Sequence, residues 1–85
     1  MELWIRSQDR TTLIRSYEIY IAVNKSSYVI RGEKTSHILG TYETYDRALE
    51  VLDEIQTLDI VNNPNIEVSY YAYSLIKVTY NMPKE

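Results

Sequence analysis

The sequence contains no cysteine and no phenylalanine, and only two glycines and two prolines among 85 residues. Each shortage excludes something. Without cysteine there is no disulfide framework and no thiolate metal site. With a single histidine, His37, no metal centre of ordinary ligand composition is expected either. Gly32 and Gly40 stand alone, so no glycine-rich loop is available to cradle a phosphate. Sparse glycine and proline also mean sparse punctuation, and most residues should lie in regular structure. No apolar run is long enough to cross a bilayer, and Met1-Glu2-Leu3-Trp4 lacks the basic and apolar stretches of a signal peptide, so a cytoplasmic protein is expected. The formal net charge of −3 argues against general binding to a DNA backbone, which calls for a basic face.

A chain of this length is expected to form one domain, residues 1–85. Small domains bury a modest share of their surface and have a thin stability margin. With disulfides and metals set aside, a well-packed core and self-association remain, and hydrophobic residues at 45% supply material for both. A homo-oligomer is therefore expected, and no cofactor is implied.

The patterning predicts an α+β fold. Leu3–Arg6 reads as a short strand and Ser7-Gln8-Asp9-Arg10 as a turn capped by Asp9. Thr11–Val23 reads as one long strand, with Tyr17, Ile19, Ile21 and Val23 alternating against Ser16, Glu18, Tyr20 and Ala22. Asn24-Lys25-Ser26 is a turn, Ser27–Arg31 a strand, Gly32–Thr35 a turn in which Gly32 can take positive φ, and Ser36–Tyr42 a further strand. The period then changes. Tyr45, Ala48, Leu49, Leu52 and Ile55 recur at spacings of three and four, which predicts an amphipathic helix from Thr44 to about Asp59. Thr44 is the expected N-cap, Asp46 suits the first turn, Glu43 and Arg47 offer a surface pair, and Asn62-Asn63-Pro64-Asn65 ends the helix. Ile66–Tyr80 has strand parity but is long for one strand, so a break or bulge is expected near Ala72–Ser74, and Pro83 is expected to end the ordered chain. The expected architecture is an antiparallel four- to five-stranded sheet of order β-β-β-β-α-β. One amphipathic helix packs on one face, and tyrosines lie on the other.

No catalytic constellation emerges, and no enzyme is expected. His37 has no nucleophile or orienting partner nearby in sequence, and Glu50, Asp53 and Glu54 read as a solvated helix face. The anomaly is aromatic: nine tyrosines and one tryptophan, with a polar handle on every ring. Three readings of the tyrosines stay open: ordinary sheet packing, a subunit or protein interface, and a pocket in which rings stack on nucleobases while arginines fork onto phosphates. For the third reading the candidate ligand residues are Arg6, Arg10, Arg31, Tyr70, Tyr71 and Tyr73. Trp4 and Arg6 share one strand face that runs into Gln8, Asp9 and Arg10. That stretch reads either as a tied-down terminal strand or as a ligand or partner contact.

Four blocks in order, Leu3–Asp9, Ile38–Tyr42, Arg47–Gln56 and Tyr80–Glu85, resemble a group of small proteins encoded by phages and prophages of Gram-positive bacteria. None of the four is a catalytic or metal motif, so no site residue carries over. The resemblance implies the cytoplasm of an infected bacterial host and a counter-defence role. Such a protein would be an oligomeric sponge for a nucleotide immune signal such as a cyclic nucleotide. The alternatives are a protein-binding inhibitor of a host defence complex such as a CRISPR effector, acting through Glu50, Asp53 and Glu54 or the tyrosine face, and a structural or regulatory phage protein with a tyrosine-rich subunit interface.

Overall fold

The computed structural model of the protein describes residues 2–15, 18–32, 37–71 and 75–85, with 70, 71, 75 and 76 described by backbone alone. It is α+β, with one helix and two sheets among the described residues. In chain order the elements are β1 (Glu2–Arg6), β2 (Leu13–Ile14), β3 (Ile19–Asn24), β4 (Ser27–Gly32), β5 (Ile38–Tyr42), α1 (Tyr45–Thr57), β6 (Ile66–Tyr71) and β7 (Leu75–Asn81). One sheet has the order β2-β1-β7-β6 and the other β3-β4-β5. The second is antiparallel and keeps three of the strands expected in one antiparallel sheet. The first is mixed, because β1 and β7 run parallel with Ile5 opposite Tyr80. A single antiparallel sheet is thus corrected to two sheets, one of them partly parallel. Only an N-terminal strand paired with the C-terminal strand produces this arrangement, and local pattern carries no signal for such a distant pairing.

Thr11–Val23, expected as one strand, supplies β2 to one sheet and β3 to the other. Tyr17 lies outside the described residues, as do the tip of the expected Gly32–Thr35 turn and the expected break at Ala72–Ser74. Gly32 ends β4 without positive φ; the left-handed positions are Arg10, Lys25 and Leu58. Gly40 has a different reason to be glycine. A Cβ there would meet Tyr42 Oη at 2.8 Å and Met82 Cε at 3.0 Å, so the Tyr42 ring can fold back along its own strand only over a bare backbone.

Thr44 caps α1, its Oγ1 accepting from Arg47 N–H at 3.1 Å, and Asp46 sits in the first turn. The helix ends at Thr57, several residues before Pro64, because Leu58 turns left-handed while its N–H still bonds Glu54 O at 2.9 Å. Its buried face is Ala48, Val51 and Ile55. Tyr45 and Leu49, expected on that face, are exposed, so the stripe is rotated from the expected one. Residues from both sheets and the helix meet in one core: Ile5, Val78 and Tyr80 from one sheet, Ile30, Leu39 and Tyr42 from the other, and Ala48, Val51 and Ile55 from the helix. Tyr42 and Tyr80 are therefore core residues, which corrects the expectation that tyrosines line the face away from the helix. Order also continues past Pro83, which was expected to end it. Met82 is buried, and Pro83 O accepts from Tyr42 Oη at 2.9 Å.

Candidate functional site

In β1 the side chains of Leu3 and Ile5 turn to the core, so alternation sends Glu2, Trp4 and Arg6 to the outer face of the four-stranded sheet. Across the parallel pairing, Lys77, Thr79 and Asn81 of β7 share that face, and Glu67 follows from β6. Trp4 is its centre. Lys77 Nζ stands 5.0 Å from the indole centroid and the Arg15 guanidinium carbon 6.0 Å, both within the range at which a cation is held by a ring quadrupole. Glu2 organises the group. One of its carboxylate oxygens accepts from Trp4 Nε1 at 3.2 Å and the other accepts from Arg15 at 3.2 Å in an ion pair. The indole is half-buried, with one cation from within β7 and one from just past β2, and this is the densest meeting of aromatic and positive charge among the described residues.

Arg6 and Arg10 are brought together: Arg6 donates to Arg10 O at 3.2 Å across the turn. Arg31 is not with them. It lies on β4 in the other sheet, in register with Tyr20 and Ile38. Tyr70 pairs with Ile76 and Tyr71 with Leu75. Consecutive strand positions alternate in face, so Tyr70 has the register parity of Ile66 and Val68, and Tyr71 that of Glu67 and Ser69. Tyr73 lies outside the described residues. Sequence reasoning noticed Trp4 but did not pair it with Arg15 and Lys77. Arg15 stands eleven residues along the chain, and Lys77 reaches Trp4 only through the parallel β1–β7 ladder.

The turn after β1 is structural. Asp9 Oδ1 accepts from Ser7 Oγ at 2.6 Å, Thr11 N–H at 3.0 Å and Thr11 Oγ1 at 2.8 Å. These bonds, the one from Ser7 foremost, hold its carboxyl down at about 2. The Gln8 side chain donates to the carbonyls of Thr41, Pro83 and Lys84 and accepts from Thr41 N–H at 2.9 Å. The reading of this stretch as a tied-down terminal strand describes what these two side chains do.

A concavity of about 630 Å³ runs between the outer side of α1 and the 59–65 loop and is lined by Arg47, Glu50, Asp53, Glu54, Asp59 and Asn62, among others. Arg47 reaches forward to Glu50 at 3.3 Å rather than back to Glu43, and its Nε donates to Glu85 O. Asp59 accepts from the backbone and side chain of Asn62, which lowers its carboxyl. Tyr80 Oη donates to Glu54 at 2.7 Å; burial, then this acidic partner, pushes the phenol above its usual range. Among the described residues no group of histidine, cysteine, aspartate or glutamate is arranged to hold a metal ion, and no helix is long and apolar enough to cross a membrane. No family model, curated protein or solved structure matches the chain.

Proposed function

We propose that the protein is a non-enzymatic binding module that takes up a nucleotide on the outer face of its four-stranded sheet. The observation that carries this reading is the single tryptophan with Lys77 and Arg15 held over its ring. A nucleotide asks for a flat apolar surface for its base and positive charge for its phosphates, and a half-buried indole flanked by cations offers both in a small space. Arg6, two residues further along β1 on the same face and bonded to Arg10 O, extends the positive charge. The resemblance of four sequence blocks to phage proteins supplies the setting. In an infected bacterium such a module would act by sequestering a nucleotide signal of the host's immune response.

Because Trp4 is the only tryptophan, its fluorescence reports the site directly. Titration with a panel of cyclic and linear nucleotides is expected to quench it saturably. Lys77→Glu should weaken that binding by about tenfold or more, the scale of one base–aromatic stack and its cation. If no nucleotide alters the Trp4 emission, or if Lys77→Glu binds as well as the parent, the reading is wrong.

A second reading rests on the acid-lined groove beside α1. Glu50, Asp53, Glu54 and Asp59 along one concavity suit a basic protein surface, as an inhibitor of a host defence complex would need. Replacing Asp53 and Glu50 by lysine would abolish capture of such a complex and leave Trp4 quenching intact, which separates the two readings.

A further inference from the structure

The two sheets have four edge strands, β2, β6, β3 and β5. Three of them carry features that stop further pairing. β2 is two residues long and is followed at once by Arg15; β6 carries the exposed charge of Glu67. β5 is bulged where its register with β4 shifts, and its outer edge is already satisfied. Leu39 O accepts from Gln8 N–H at 2.7 Å, and both backbone groups of Thr41 bond the Gln8 amide. β3 is different. Ile19-Tyr20-Ile21-Ala22-Val23-Asn24 has no charge, no proline and no bulge, and among the described residues nothing bonds its outer edge. It also exposes two large side chains, Tyr20 at 46% and Val23 at 71%.

We propose that β3 pairs with β3 of a second copy, antiparallel, about a two-fold axis beside Ile21. The hairpin fixes which backbone groups are available. Asn24 and Ser27 close a two-residue turn and form a hydrogen-bonded pair. Bonding alternates from there, so Ala22 and Tyr20 bond to β4, while Ile19, Ile21 and Val23 turn their N–H and C=O groups outward. A two-fold axis normal to the sheet keeps faces matched and sets Ile21 opposite Ile21, Ile19 opposite the partner's Val23, and Tyr20 opposite the partner's Ala22. Every outward-facing pair then meets an outward-facing pair.

The side chains fit the same register. On the helix side Val23, too far along the strand to reach its own core, lies against Ile19 of the second copy. On the other side the large Tyr20 covers the small Ala22. Charge agrees as well. The strand is preceded by Glu18 and followed by Lys25, so antiparallel pairing sets unlike ends near each other. The two three-stranded sheets become one continuous sheet with both helices on the same face. A second copy is the occupant because the pattern is complementary to itself, with no feature demanding a different partner.

The test combines sedimentation equilibrium across a dilution series with amide hydrogen exchange. The parent protein should dimerise, and the amides of Ile21 and Val23 should be protected in the dimer and lose that protection on dilution. Val23→Lys should raise the dimer dissociation constant by roughly tenfold or more, since it removes the Ile19 contact and puts a solvated charge in the ladder. Val23→Pro should do the same by deleting an N–H that faces away from β4, and a cooperative melting transition matching that of the parent at dilutions where the parent is monomeric shows that the protomer remains folded. A parent protein that is monomeric throughout, freely exchanging Ile21 and Val23 amides, or a dimer that survives both substitutions overturns the proposal.

Discussion

Asp9 is exposed, yet three hydrogen bonds from Ser7 and Thr11 stabilise its charged form and depress its carboxyl to about 2. The sign of the linkage follows. A carboxyl whose folded value lies below its unfolded one contributes stability above the unfolded value, near about 4, and loses it as pH falls toward about 2. Asp9→Asn should therefore lower the urea midpoint at neutral pH and flatten its fall between those two values; an unchanged acid limb would show that the turn does not depend on the charge. The core tyrosines obey a related rule. In a chain without phenylalanine, large aromatic core positions bring hydroxyls that must be satisfied, and Tyr42 and Tyr80 find Pro83 O and Glu54. Burial drives both phenols upward, so neither ionises in the physiological range.

At the scale of elements, the β3–β4 hairpin is held by a residue in an unfavourable conformation. Lys25 has φ 57°, a value that a primed two-residue turn requires and that glycine or asparagine adopts more readily. A side chain there costs about 1–2 kcal/mol, against roughly 0.5–1 kcal/mol for the extra freedom of glycine in the unfolded chain. Lys25→Gly should accordingly stabilise the protein by about 0.5–1 kcal/mol in thermal or urea unfolding; a loss of stability would mean that the lysine side chain contributes a contact that outweighs its backbone strain. The helix shows a similar competition. Its cap at Thr44 follows the local signal, but its end is set by Leu58, a left-handed leucine kept in place because its side chain packs on the core.

The whole molecule is closed by Gln8. One amide side chain joins the end of β1, the edge of β5 and the C-terminal segment, with bonds to Thr41, Pro83 and Lys84. Gln8 N–H adds a bond to Leu39 O, and Met82 N–H bonds Arg6 O. Gln8→Ala should cost about 1–3 kcal/mol, as several modest hydrogen bonds are exchanged for water. It should also free the β5 edge, so that the amide of Thr41 loses exchange protection before the rest of the sheet. If stability changed but Thr41 protection did not, the glutamine would be acting through packing alone.

Period and punctuation determined the local pieces: the β1 strand, the Asp9 turn, the Thr44 cap and the Lys25 hairpin all follow from residues within a few positions of each other, whereas 66–80 read equally as a bulged strand or as two. The helix phase was harder to read. Tyr45 and Leu49 are as apolar as Ala48 and Val51, and only the sheet's position selects which side is covered. The candidate site was half legible. Trp4 and Arg6 share a face by simple alternation, whereas Lys77 joins Trp4 only because the last strand runs parallel to the first, and Arg31 is separated from Arg6 because it belongs to the other sheet. Alternation specifies faces along one strand, but pairing between distant strands is decided by which buried surfaces fit together in three dimensions, and that choice belongs to the tertiary structure.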